Sequence, residues 1–266
     1  MGLLVELQKR IPDGWFLRRF LPAALFVLVA TVGGGQLGQH HWDDLALARE
    51  RIAGALPVSG GTGTHALASL VLYAVAVVGA AFAVPVAARA IGALASGAWP
   101  WWLMPLGRRL TAWRVRRWAH PEEIGKEAVR ARAAGSPLHA DRLDARRART
   151  GTTEPRCPTW SGDRFRATEA RVRAETGRDV AGEWATLLLT APDASRTALS
   201  EARDAYDAAC EALAWSAALT LLGPWWWPAA PAGAVLWLHS WLSLRGAVRS
   251  LCTTAEAAFA GQRMGG

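Results

Sequence analysis

The chain contains no asparagine, only two lysines (Lys9 and Lys126) and only three cysteines. Without asparagine there is no N-glycosylation acceptor. Cys157, Cys210 and Cys252 are odd in number, include no C-x-x-C pair and have no histidine at ligand spacing. That argues against a disulfide framework and against structural zinc, and free thiols in a reducing compartment are expected. Charge is also scarce, at 20% against 52% hydrophobic residues, which excludes a disordered chain. There is no Walker lysine, no H-E-x-x-H and no Ser/His/Asp or Cys/His pairing, so no reaction is indicated, and no cofactor or metal is expected.

What the chain does have is apolar length. Three uncharged runs, Phe20–Gly38, Ala66–Ala88 and Ala212–Leu244, hold 19, 23 and 33 residues, and roughly 17 to 25 suffice to cross a bilayer's hydrocarbon. The third is too long for one span, and Gly223-Pro224 to Pro228 and Pro231 break it around Trp225, Trp226 and Trp227, so a hairpin is expected. Pro22 is placed in the first turn of the first span, where it is tolerated. In the second, Ala76, Gly79, Ala80, Ala83 and Ala87 offer small faces for another helix, and Pro85 marks its inner end.

Charge placement orients these spans. The formal charge of +8 comes almost wholly from arginine, and basic flanks stay on the cytoplasmic side. The expectation is an all-α integral membrane protein in which two transmembrane helical hairpins flank a helical, Arg-rich cytoplasmic module, with both termini inside a bacterial cell membrane. Residues 1–19 form a basic cytoplasmic N-terminus, and 20–89 a first hairpin with an outer loop at 39–65 carrying an amphipathic helix from Trp42 to Leu56. Residues 90–107 read as an interfacial or re-entrant segment, because five arginines follow at once. The module spans 108–206, a second hairpin 207–245 and a cytoplasmic tail 246–266.

Residues 108–204 hold 20 basic and 14 acidic side chains and no long apolar run. Pro121-Glu122-Glu123 is a helix opening that Gly135 closes, residues 136–158 read as a basic, turn-rich linker, and Ser161 caps a helix that ends at Gly177. Another helix follows Asp179, with an apolar face of Trp184, Leu187 and Leu188, and a longer one starts at Pro192-Asp193 and continues into the third span.

Several patterns were weighed as chemistry. Gly33-x-Gly35-x-x-Gly38 matches a dinucleotide fingerprint, but it ends an apolar helix instead of following a strand, so packing or a break is preferred. His40, His41, Asp43 and Asp44, with His65, have the donor types of a metal site; the plainer reading is a polar outer interface anchored by Trp42. Glu211 and His239 are ionisable groups at membrane depth and hence candidates for a proton or ion path. Arg108, Arg109, Arg114, Arg116 and Arg117, interleaved with Trp113 and Trp118, suit anionic lipid headgroups, each worth about 1 kcal/mol; single-stranded nucleic acid is the less favoured partner of the same pattern.

The stretch Thr159-Trp160-Ser161-Gly162-Asp163-Arg164-Phe165, with Glu169, Gly177-Arg178-Asp179, Trp184, Leu187–Leu189, Pro192 and Arg196, resembles a segment of uncharacterised bacterial integral-membrane proteins from GC-rich genomes. The resemblance covers roughly Thr159–Arg249 and implies a membrane-attached helical module with no known reaction; where such proteins often carry a tyrosine, this chain has Thr176. Asp163, Arg164, Glu169, Arg178, Asp179 and Arg196 are expected to be an intramolecular ion-pair and capping set, with partner binding as the sharper alternative. The leading functional expectation is a non-enzymatic scaffold that forms homo-oligomers or binds a membrane-protein partner. A pore, a lipid enzyme and a DNA-transfer accessory role are the alternatives.

Overall fold

A computed structural model describes residues 15–37, 39, 63–148 and 154–264. All regular structure among them is helical: α1 (Trp15–Val29) running into a π-helical stretch (Ala30–Leu37), α2 (Gly63–Ser96), a 3-10 turn (Trp101–Leu103), α3 (Met104–Ala133), α4 (Pro137–Ala148), α5 (Trp160–Thr176), α6 (Val180–Thr190), α7 (Asp193–Leu222) and α8 (Ala229–Met264). The outer-loop helix and the group His40, His41, Asp43 and Asp44 lie outside the described residues. The chain divides into two compact units, Met1–Ile91 with Asp207–Leu244, and Gly92–Tyr206 with Arg245–Gly266.

The first unit is built on small residues. Ala23 and Val27 of α1 pack on Val77 and Ala81 of α2, with Phe20, Phe26 and Trp215 around them, and the pairing of 23 with 81 and 27 with 77 makes the two helices antiparallel. Pro85 has no N–H and so leaves the Ala81 carbonyl without its helical donor; Arg19 Nε donates to that carbonyl at 3.4 Å. The Tyr73 hydroxyl donates to the Ala24 carbonyl at 2.8 Å.

One expectation is corrected in this unit. Pro22 is not in the first turn, because α1 begins at Trp15 and Pro22 lies two turns inside it. The inward face of α2 is Val77, Ala81 and Ala88, while Ala76, Ala83 and Ala87 are exposed and Gly79 faces open space. The spacing of four and seven fits either face; the bulk of Phe20 and Phe26 opposite favours the one carrying Val77.

The glycines after α1 are packing residues. A Cβ on Gly33 would stand 2.7 Å from the Trp226 ring, and one on Gly34 would stand 2.9 Å from Leu222 Cδ1. Trp226 belongs to the turn between α7 and α8, where Gly223 and Pro224 end the first helix and Ala229 begins the second. Gly233 of α8 abuts Ser216 and Thr220 of α7, so these arms fold back on each other. Gln39 Nε2 donates to the Gly223 and Pro224 carbonyls at 3.2 and 2.5 Å, satisfying oxygens that the helix end leaves open.

One helix among the described residues, over Leu67–Ser96, is long and apolar enough to cross a membrane, and only 6% of its most apolar stretch is buried. It exceeds its expected length: residues 90–96 continue α2 as helix. Nothing in Ala90–Ser96 breaks a helix, and the break comes at Gly97, where φ is +91°.

The second unit carries longer side chains and a conventional core. Phe259, Leu187, Leu199 and Val172 are almost fully buried together with Ala255 and Ala258, and Trp184 and Leu188 pack at the edge as their spacing predicts. Two local readings change here and one holds. Pro121 lies inside α3, whose 30 residues run from Met104 to Ala133; strong helix formers on both sides carry the helix through it. Gly135 with φ +77° does close the turn that follows. Residues 137–148 are helical instead of linker, since the arginines and alanines there are helix formers and Arg132 of α3 pairs with Asp141 and Asp144 of α4.

Candidate functional site

The motif at the start of α5 is a clasp within the second unit. Thr159, not Ser161, is the N-cap: its hydroxyl accepts from the Gly162 N–H at 3.0 Å and donates to the Ala95 carbonyl at 2.6 Å. Gly162 is required by closeness, because a Cβ there would meet the Ser96 carbonyl at 3.0 Å and Cys157 Cβ at 3.1 Å. One Asp163 oxygen accepts from the backbone N–H groups of Arg156 and Cys157 at 2.8 and 2.6 Å. The other ion-pairs with Arg114 of α3 at 2.7 Å, and Arg114 also donates to the Cys157 carbonyl. Tyr206 adds a bond from its hydroxyl to the Gly92 carbonyl at 2.9 Å and an edge contact with Phe165.

This clasp separates Arg114 from the other four arginines of its run. Its side chain is four-fifths buried in an internal pair, which corrects its expected place among the headgroup contacts. Asp163 is a half-buried acid on a neighbouring turn, and nothing in linear spacing links positions 114 and 163. Arg108, Arg109, Arg116 and Arg117 are exposed, and Arg117 lies over the Trp113 ring at 5.4 Å. Trp101, Trp102 and Trp113 are exposed beside them.

A cavity of about 480 Å³ opens next to the clasp, lined by Trp99, Gly107, Arg108, Thr111, Arg156 and Pro158 among others. Its wall is mostly apolar, with two guanidinium groups and the Thr111 hydroxyl, which is bonded to the Gly107 carbonyl. Their chemistry suits an anion or an apolar body; they include no general base beside a nucleophile.

The remaining partner-binding candidates are mostly engaged within the chain. Asp179 caps α6 through the Gly182 N–H at 3.1 Å and pairs with Arg173; that N–H first, and then the guanidinium, hold its carboxyl below the usual range. Arg178 pairs with Glu183 at 3.4 Å, and Arg196 pairs with Asp193 at 3.1 Å. Glu169 is exposed on α5. Arg164 is half-buried, with a buried Nε lacking an acceptor.

Glu211 and His239 are both exposed on their helices. The face buried between the arms carries Leu213, Ser216 and Ser240 instead, so Glu211 and His239 do not face each other across a buried path within the chain. Burial pushes the Cys157 and Cys252 thiols up from their ordinary range, so neither is a ready nucleophile at neutral pH. Among the described residues no three His, Cys, Asp or Glu side chains gather as metal ligands.

Besides the clasp, sequence reasoning missed the stacking of Arg245 and Arg249 over Trp160 at 4.8 and 5.4 Å. The i, i+4 arginine pair after the last apolar run was its visible signal. Compared with known protein families, with curated proteins and with solved structures, the chain matches none.

Proposed function

We propose that this chain is an integral protein of a bacterial cell membrane that anchors by two helical hairpins and presents its Arg-rich helical unit to a cytoplasmic partner. The observation that carries the reading is α2: a helix this apolar and this long, with 6% of its most apolar stretch buried, needs surroundings that are themselves apolar. At about 51 Å for its 34 residues it exceeds a hydrocarbon core of about 30 Å. Arg89, about two turns before the end of the helix, therefore falls at the headgroup level.

Other features support the same arrangement. The α7–α8 turn exposes Trp225 and Trp227, an aromatic pair suited to the outer interface. Arg108, Arg109, Arg116 and Arg117 with the exposed tryptophans of 101–113 suit the inner leaflet of an anionic bilayer. Ala76, Gly79, Ala83 and Ala87, exposed among the described residues, offer the close-packing face by which copies associate.

The function is recruitment and not turnover: the module's charged residues are spent on holding its own helices, and its exposed surface is helical and basic. Mild detergent extraction of tagged chain from membranes, followed by cross-linking and identification of what co-purifies, tests this. A homo-oligomer or a partner protein is expected; a monomer with no partner, or a chain recovered in the soluble fraction, contradicts it.

A further inference from the structure

Trp160 opens α5, and its ring carries two guanidinium groups from α8, Arg245 at 4.8 Å and Arg249 at 5.4 Å from the centroid. These two arginines lie one helical turn apart, a spacing at which like charges repel. Arg164 follows Trp160 by four residues and so lies on the same face of α5.

Among the described residues no carboxylate is ion-paired with this trio. Asp163 is held by Arg114 and by the N–H groups of Arg156 and Cys157. Glu256, the nearest acid along α8, accepts from Thr168 at 2.7 Å and from Arg171. Two donors in the trio, Arg164 Nε and Arg245 Nε, are buried and have no acceptor. Buried donors are almost always paired, and unpaired ones call for a missing group. A group that answers three forked cations and two orphaned N–H donors carries negative charge and several oxygens. A tetrahedral phosphate meets both demands, whereas a carboxylate, with two oxygens, fills one fork.

We propose that Arg245 and Arg249, gathered at the face of Trp160, together with Arg164 one turn along α5, bind a phosphate group. The chemistry is shared by an anionic phospholipid headgroup and by a soluble phosphate. Arg245 directly follows the apolar arm Ala229–Leu244 in sequence, which favours the lipid. The inference does not depend on the partner-recruiting role.

The test uses full-length chain in mild detergent. Native mass spectrometry counts retained phosphatidylglycerol against phosphatidylcholine, and a parallel thermal-shift series compares inorganic phosphate with chloride at matched ionic strength. Arg164→Gln, Arg245→Gln and Arg249→Gln are each expected to weaken binding by about tenfold or more. Arg249→Lys keeps the charge and the fold but loses the fork, and should fall between; an exposed control, Arg130→Gln, should leave binding unchanged.

Preferential, Arg-dependent retention of phosphatidylglycerol assigns the site to lipid. A stabilisation by inorganic phosphate alone that the same variants abolish assigns it to a soluble ligand, and would stand even if the chain proved not to be membrane-bound. Equal retention of both lipids with no phosphate shift, or Gln variants that bind as the parent does, overturns the proposal.

Discussion

The two units of this chain solve the same problem, packing helices, with different materials. In the first, alanine, glycine and valine let backbones approach, and side chains donate to carbonyls freed at a proline or a turn: Arg19 to Ala81 and Gln39 to Gly223. In the second, Phe259, Leu187 and Leu199 fill a core, and capped helices are tied by ion pairs such as Arg114 with Asp163. The difference tracks the surroundings each surface suits. Close backbone packing works where burying large side chains brings no gain from leaving water, and a bulky core with charged caps is what water rewards.

The comparison can be broken first at its largest contrast. Phe259→Ala should cost about 3–5 kcal/mol and unfold the second unit preferentially. Hydrogen exchange resolved by peptide should show α5, α6 and the end of α8 opening while α1 and α2 keep their protection; uniform opening would mean that the units do not differ in this way. Next, Gly33→Val in the first unit should cost about 1–3 kcal/mol by overpacking, since its Cβ would lie 2.7 Å from Trp226. Melting in detergent measures it, and adding Trp226→Ala should recover part of the loss. A Gly33→Val chain as stable as the parent would refute close packing there.

Smaller effects sharpen the second unit's side. Thr159→Ala removes a cap and a bond to Ala95 and should lower stability by about 1 kcal/mol, read from denaturant midpoints, with Thr159→Ser retaining most of it. The smallest effect concerns acid. Because the folded pKa of Asp179 is lowered, its contribution is complete above the unfolded carboxylate value of about 3.9. It is lost as pH falls through the folded value. The stability difference between the parent and Asp179→Ala should therefore be constant from neutral pH down to that range and shrink below it; a difference that grows in acid would contradict the assigned cap.

Much of the helix pattern was legible because its punctuation is local. Gly177 and Asp179 stand at the ends of α5 and α6, Asp193 opens α7, and Gly223-Pro224 ends it. Breakers misled where neighbours overrode them, at Pro22 and Pro121, and an absence of apolar residues misled at 137–148, where arginine and alanine form α4. The clasp and the Trp160 arginines were not legible, because each unites positions far apart: Thr159 with Ala95, Asp163 with Arg114, and Trp160 with Arg245. Residue type gave Asp163 and Arg164 as charged candidates; only the fold separates an acid ion-paired with Arg114 from a cation with no such partner.

Sidedness is the most direct test of the account, and single cysteines in a cysteine-free background measure it. With Ser59, Ser136 or Ser195 replaced by cysteine, an impermeant maleimide applied to intact cells should label position 59 alone, and positions 136 and 195 only after the membrane is opened. Labelling of 136 or 195 in intact cells, or of all three in a soluble fraction, would contradict an Arg-rich unit held on the cytoplasmic side.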